Sequence, residues 1–422
     1  DDAIGAEHIA DNAVGLAAMA GGTDGQIITY DASGDPVAVG PGTDGQVLTS
    51  TGAGSPPAFE TIAASPPTGR RLNRNGAMQI NQRGGQSPAH DGAGRLAYEG
   101  FGADSYQVQW AAMDELDGTI NTVEDAPEGF TQSTKWTTGT AESTIDTGEW
   151  AAFTTKLDSL DVRDHLKWGT GNAEALTVSF WVKSSLTGTF YMSIYSPRTS
   201  GQRSLSKTYS ISSADTWEKK TVTFTADTGG NEIPNTSTEQ SIMWAMASGS
   251  QWDSGGSTSS WSDYAHATWL GQNANDALIT TSGATFYITG VQAEVGTSAT
   301  DFEYKKVDEE LSWCQRYYYA LNSSGENPGR GNGSSTISFT CNLPHSFRGT
   351  PSLTMTAGSG VRHYGIDSKS DSTTTPTVST FRTNNNWVKL SQGGHSGVND
   401  DCVLVAMLNG AAGEGIEFYA EL

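Results

Sequence analysis

Apolar and polar residues alternate along the middle of the chain. Leu176, Val178, Phe180 and Val182 alternate with Thr177, Ser179, Trp181 and Lys183. After the Thr187-Gly188 turn, Phe190, Met192 and Ile194 alternate with Tyr191, Ser193 and Tyr195. Val222 with Phe224, and Phe286 with Ile288, repeat the pattern. A period of two puts one set of side chains on each face of a strand. Such strands, broken by Gly-rich turns, predict a jelly-roll-like, two-sheet β-sandwich across residues 98–304. One long irregular stretch, Ser248 to Asp276, carries Trp252, Trp261, Tyr264, His266 and Trp269.

The flanking regions follow other rules. Residues 305–422 open on a short helical stretch, Val307 to Trp313, and the aromatic run Tyr317-Tyr318-Tyr319. Alternation then returns at Ile337, Phe339 and Cys341, at Val403 and Val405, and at Ile416 and Phe418, predicting a smaller β-rich domain. At the other end, Ile4, Ile9, Val14 and Met19 recur every five residues, a period that fits neither helix nor strand. One large apolar residue in five builds no core within one chain. It suits an axis shared by several intertwined chains, or else a disordered leader. Gly22-Thr23-Asp24-Gly25-Gln26-Ile27-Ile28-Thr29 recurs twenty residues on as Gly42-Thr43-Asp44-Gly45-Gln46-Val47-Leu48-Thr49. Each copy reads as a turn and a short strand, and hairpins this small need partners. Residues 1–62 therefore read as a fibrous shaft. Ala63 to Gly69 reads as a linker within a connecting segment, 63–97.

Composition narrows the class. Fifty glycines in 422 residues is nearly double the ~7% of average proteins, which suits short strands and turns rather than a helical bundle. Twenty-four basic against 47 acidic residues give a net charge of −23. That argues against a nucleic-acid partner and against an anionic membrane surface. The longest apolar run, Cys402 to Leu408, falls far short of a membrane span. Cys314, Cys341 and Cys402 form no CxxC pair and read as small buried residues. The chain opens on Asp1 without a methionine or a visible signal peptide, compatible with a longer polypeptide.

Catalytic motifs are missing: there is no HExxH, P-loop or GxSxG, and seven histidines are scattered singly. Paired carboxylates for glycoside cleavage stay open, because their separation is spatial. The densest group of possible ligands, Asp158, Asp161, Asp164 and His165, does not fit an EF-hand spacing and reads as a solvated acidic turn. Neither a metal nor a cofactor is expected. The aromatics are more informative. With Val178 and Phe180 facing the core, Trp181, Tyr191 and Tyr195 fall on an outer sheet face. Such a face stacks sugar rings, packs against a neighbouring chain, or lies under a loop. Trp252, Trp261 and Trp269 carry the same alternatives. Trp387, beside Asn385 and Asn386, joins a ring to amide donors and acceptors; its other reading is an ordinary strand residue.

Several separated segments carry a resemblance. Leu72 to Gly84, with its Asn75-Gly76 and Ile80-Asn81-Gln82-Arg83-Gly84, resembles a segment of tail-fibre and related virion proteins of tailed bacteriophages. Ser179 to Thr189 resembles a strand pair of the same proteins. Gly290-Val291-Gln292 through Phe302-Glu303 to Cys314-Gln315-Arg316-Tyr317-Tyr318 resembles their junction segment. The likeness covers roughly residues 70 to 320 and is looser beyond Tyr319. Where those proteins often have Asp-Arg-Trp, this chain has Asp104-Ser105-Tyr106. The resemblance implies a homotrimeric virion fibre that meets the host surface.

The sequence thus points to a mainly β, intertwined homotrimer: shaft 1–62, connecting segment 63–97, a carbohydrate-binding-module-like sandwich 98–304, and a tip 305–422. Its expected role is a bacteriophage tail fibre, assembled in the bacterial cytoplasm and carried on the virion. It adheres to host glycan or lipopolysaccharide without making or breaking a bond. Expected partners are its own copies and other tail proteins at the N-terminal end, with no nucleic acid and no membrane insertion. The alternatives are a tailspike enzyme degrading surface polysaccharide, and a capsid-attached fibre without receptor binding. Candidate glycan or receptor contacts are Trp387, Asn385, Asn386, Trp181, Tyr191, Tyr195, Trp252, Trp261 and Trp269. Ile4, Ile9, Val14 and Met19 are the candidate trimer axis.

Overall fold

The computed structural model describes residues 21–34, 36–61, 71–84, 98–234, 239–253, 259–263, 269–270, 276–322, 326–331, 336–348, 351–355, 360–364, 369–372, 377–380, 387–392, 403–409 and 415–419. Ile4, Ile9, Val14 and Met19 lie outside them. Among the described residues strands far outnumber helices, so the protein is mainly β. No helix among the described residues is long and apolar enough to cross a membrane. The chain divides into two compact units, residues 1–68 and 69–422.

The first unit holds two hairpins. Strand β1 (Ile27–Tyr30) pairs with β2 (Pro36–Val39), and β3 (Gln46–Thr49) with β4 (Ala58–Thr61). The twenty-residue repeat folds the same way twice. The Gln26 amide donates to the Thr23 carbonyl at 3.1 Å while the Thr23 amide donates to Gln26 Oε1 at 2.7 Å; Gln46 and Thr43 repeat both bonds. Gly25 and Gly45 take φ of 77° and 85°, which only glycine adopts freely. Ile28, Tyr30 and Leu48 are 57%, 67% and 43% exposed in the single chain.

The second unit contains the sandwich. Its strands are β5 (Tyr98–Phe101), β6 (Tyr106–Ala111), β7 (Gly118–Val123), β8 (Ser133–Thr138), β9 (Trp150–Asp158) and β10 (Leu176–Ser184). Then come β11 (Gly188–Pro197), β12 (Gln202–Ile211), β13 (Glu218–Phe224), β14 (Glu239–Ser248), β15 (Ser262–Asp263) and β16 (Thr285–Val295). One sheet runs β13-β10-β16-β8-β7; the other runs β15-β12-β11-β14-β9-β6-β5. Aromatic side chains close the core between them. The Phe180 and Trp244 centroids are 5.5 Å apart, Phe153 and Phe286 6.0 Å, and Trp110 and Trp136 5.8 Å. Leu176, Val178, Phe180 and Val182 are buried there, as are Phe190, Met192 and Ile194.

One expectation is corrected by the topology. The strands on either side of Thr187-Gly188 do not pair. β10 bonds to β13 and β16, whereas β11 bonds to β12 and β14. The turn carries the chain from one sheet to the other, so Trp181 and the pair Tyr191/Tyr195 lie on opposite outer faces. Period two fixes which side chains share a face, not which sheet the strand joins.

Residues 71–84 have the composition of a connector and the burial of a core. Asn73 Nδ2 donates to the Val291 carbonyl (2.8 Å) and to Tyr106 Oη (2.9 Å), and Asn73 Oδ1 accepts from the Ala293 amide (2.8 Å). Asn75 Nδ2 donates to the carbonyls of Ile80 and Asp104. Gly76 presses so closely on β16 that an added Cβ would sit 2.1 Å from the Val291 oxygen. Burial of Tyr106 raises its phenol well above the ordinary range.

The helix Val307–Gln315 leads into the C-terminal strands. These are β17 (Tyr318–Asn322), β18 (Glu326–Gly331), β19 (Ile337–Asn342), β20 (Ser352–Met355) and β21 (Gly360–Tyr364), then β22 (Lys369–Ser372), β23 (Thr377–Thr380), β24 (Trp387–Gln392), β25 (Val403–Asn409) and β26 (Gly415–Tyr419). They form a three-stranded sheet, β17-β26-β20, and a seven-stranded one, β22-β21-β25-β18-β19-β24-β23. Cys314 and Cys341 are buried, and burial pushes Cys341 up to about 12. Cys402 lies outside the described residues.

Candidate functional site

The outer face of the sandwich's seven-stranded sheet carries an aromatic cluster. β9 supplies Trp150 and Ala152, and β14 supplies Met243 and Ala245. The small alanines leave a floor on which larger rings rest. Tyr191 and Tyr195 come from β11, and Trp252 and Trp269 from the stretch between β14 and β16. Trp269 stands over Trp150 at 4.6 Å and 70°, with Trp252 5.2 Å away and Tyr195 5.9 Å away. Edge-to-face contacts of this kind stabilise beyond the area they bury. Trp252 is held by Nε1 donating to the Gly148 carbonyl at 2.8 Å. The backbone turn beneath it needs Gly249, where a Cβ would lie 1.9 Å from the Asp146 oxygen. Trp150 is buried, while Tyr191, Tyr195, Trp252 and Trp269 stay half-buried.

Four of the nine expected contacts therefore meet on one face, around a fifth ring, Trp150, that the pattern reading missed. In Glu149-Trp150-Ala151-Ala152-Phe153 both faces are apolar, and period two cannot choose between them. The other candidates lie elsewhere. Trp181 sits on the five-stranded sheet beside Gly290, whose added Cβ would fall 2.9 Å from its ring and 2.7 Å from Phe130. Trp261 packs on the inner core, 4.8 Å from Trp168, its Nε1 donating to the Thr225 carbonyl at 2.6 Å. Trp387 is half-buried on β24, opposite Asn342. Asn385 and Asn386 lie outside the described residues.

The acidic groups also rearrange. Asp158 is no solvated turn residue. It is buried against Arg348, whose Nε donates to it at 2.6 Å, and against Tyr317 Oη at 2.7 Å. These donors outweigh burial and hold its carboxyl below the ordinary range. Asp164 pairs with Arg163 on the surface at 2.8 Å. The convergent carboxylates are others: Asp114, Glu142 and Glu149 bring oxygens within 4.8 Å of one another. Burial pushes Glu142 up to about 7, helped by the charges of Glu149 and Asp114 and opposed by the Glu115 amide it accepts. Burial raises Glu149 as well. Hard oxygens of this kind could hold a Ca²⁺- or Mg²⁺-class ion.

No protein-family model and no curated protein matches the chain. Solved structures resemble it at low scores. The enzymatically active domain of tailspike protein 4 from bacteriophage CBA120 aligns with a TM-score of 0.26 and 14% identity, over 54% of this chain. The chain spans 21% of the length of that tailspike chain. A family 4 carbohydrate-binding module aligns at 0.26 and 14% identity, over 53% of this chain and 99% of the module. The family 11 module from Clostridium thermocellum, in complex with a β-1,3-1,4-mixed-linked tetrasaccharide, aligns at 0.22 and 11%, over 51% and 98%. These likenesses fix neither a family nor an activity for this chain. They do correct one expectation. The tailspike domain is described as enzymatically active, so the assignment of a protein that breaks no bond is withdrawn. Carboxylate pairs leave no contiguous motif, and missing motifs were its ground.

Proposed function

We propose that the chain is a homotrimeric tail-fibre or related virion protein of a tailed bacteriophage, binding host-surface glycan on the aromatic face of the sandwich. The observation that carries this reading is the half-exposed cluster of Tyr191, Tyr195, Trp252 and Trp269 over Trp150. Pyranose C–H faces pack on such rings, and rigid aromatics lose little entropy on binding. The sequence segments from Leu72 to Tyr318 support the virion assignment. The exposed Ile28, Tyr30 and Leu48 support association, since lone two-stranded hairpins are marginal. In this reading the N-terminal end joins other tail proteins and the C-terminal strands lie toward the cell.

The test is binding of the full chain to host cells and to purified surface polysaccharide. Trp252→Ala should weaken it tenfold or more, about 1.4 kcal/mol, while the mass in light scattering stays at three times 44.5 kDa. Unchanged binding would remove the aromatic face from the reading, and a monomeric mass would remove the trimer. Release of reducing ends in the same incubation decides whether binding is accompanied by cleavage.

A further inference from the structure

The chain crosses from the sandwich to the C-terminal strands once, between β16 and the Val307–Gln315 helix. Folded parts joined by a single crossing ordinarily move against each other unless a large apolar interface holds them. The contacts that join these two parts are charged groups and rings, and they fall into two sets.

The first set reaches out from the sandwich. Residues 71–84 are rooted there, Asn73 on β16 and Asn75 on the Asp104 turn. Three arginines project from that root toward the C-terminal side. Arg71 Nη2 pairs with Glu310 of the helix. The Arg74 guanidinium lies 3.5 Å from the centroid of the Tyr317 ring. Arg83 sits against two rings, 3.9 Å from Phe101 of β5 and 3.7 Å from Tyr318 of β17. Gln82 Nε2 adds a hydrogen bond to the Tyr318 carbonyl at 3.2 Å.

The second set closes on one carboxylate. Asp158 ends β9, and its Oδ1 accepts from the Leu160 amide at 2.9 Å, which fixes it to the sandwich. From the C-terminal side, Tyr317 Oη and Arg348 Nε donate to Asp158 Oδ2 at 2.7 and 2.6 Å, and Arg348 Nη2 donates to Oδ1 at 3.1 Å. The Arg348 amide donates to the Arg316 carbonyl at 3.1 Å, so the two donors are tied to each other. The Asp158 and Arg348 side chains are 8% and 5% exposed. A charge buried this far needs its counter-charge. With the carboxylate gone, the cheapest relief for Arg348 is to reach water, and it reaches water by opening the junction.

We propose that Asp158 is a latch between the sandwich and the C-terminal strands. While it holds Arg348 and Tyr317, the two parts open as one body. Without it, the C-terminal side comes off the arginine arms while the sandwich stays folded. The latch does not depend on what the aromatic face binds.

Hydrogen exchange followed by mass spectrometry on the full chain tests it. In Asp158→Asn and in Arg348→Met, peptides from β17 and β19 should exchange faster by about tenfold or more, while those from β10 and β14 keep the parent rates. The double variant buries no unpaired charge, so its β17 and β19 rates should return most of the way to the parent's. Asp164→Asn, which breaks a surface pair, should change nothing. Tyr317→Phe removes one hydrogen bond and no charge, and should give about a threefold rise at the same peptides should a charge variant fail to fold. Unchanged exchange in the single variants overturns the proposal. So does an equal rise in β10 and β14, which would make Asp158 a support of the sandwich itself, or a double variant that loses as much as the two singles combined.

Discussion

The two outer faces of the sandwich are finished in opposite ways. On the five-stranded sheet, polar side chains are covered by the chain's own loops and bonded to them. Thr177 shares a hydrogen bond with Thr223 at 3.0 Å and donates to the Gly296 carbonyl at 2.8 Å. Gln292 donates to Glu294, Thr300 and the Asp301 carbonyl, and Thr289 donates to the Gln132 carbonyl. On the seven-stranded sheet the outer face is apolar, and its upper rings stay half in solvent. Hydrogen-bonding capacity on the first face is spent within the chain. The second face keeps contact area for something else.

The largest effect that would break this contrast is at Trp150. It is the floor under Trp252 and Trp269, so Trp150→Ala opens a cavity and should cost about 3–5 kcal/mol of unfolding free energy. Thr177→Val on the opposite sheet removes hydrogen bonds without removing volume, and should cost about 1 kcal/mol. Urea unfolding of the two variants measures the difference. Equal losses would mean that the aromatic face is surface decoration rather than a packed layer.

A smaller effect concerns the carboxylates just before β9, at the root of that face. Glu142 rises from an ordinary 4.5 to about 7. Between these values the folded chain holds a proton that the unfolded chain has released. Stability should therefore fall as pH rises from about 4.5 through about 7, and level off above. Glu149 is shifted in the same direction. Melting temperature followed from pH 4.5 to 8 gives the profile, and Glu142→Gln should flatten it. A slope that survives in Glu142→Gln belongs to other groups.

How much of this was readable beforehand differs by element. Alternation placed Leu176 to Val182 and Phe190 to Ile194 correctly on core faces, because one-sided burial is what period two encodes. The partner sheet of each strand was not readable. It depends on pairings such as Thr177 with Glu294, which are far apart in sequence. The burial of Asn73 and Asn75 was hidden for a related reason: their amides bond backbone of β16 and of the Asp104 turn, and no local period marks that. Asp158 looked solvated because Arg348, its partner, lies 190 residues away. Trp150 was masked by apolar neighbours on both sides. Chemistry that depends on distant contacts was the part that could not be read.

The smallest effect sharpens the contrast from the polar side. Lys183 extends from β10 over two rings, 4.3 Å from Tyr287 and 5.3 Å from Trp217, and pairs with Asp125. Trp217 Nε1 donates to the same carboxylate at 3.1 Å. The lysine hydrogen bond leads the causes holding Asp125 below its ordinary range, with burial opposing it. Exposed pairs contribute ~0–1 kcal/mol and exposed cation–π contacts ~0.5–1 kcal/mol, so Lys183→Met, which keeps the stem, should cost about 1 kcal/mol. Because Asp125 is half in solvent, salt should shrink the difference between 50 and 500 mM, where the Debye length falls from roughly 14 Å to 4 Å. Glycan binding should not change, since Lys183 and the aromatic cluster belong to different sheets. If Lys183→Met lowered binding as Trp252→Ala does, the two faces would share one ligand, and the division of labour between them would be wrong.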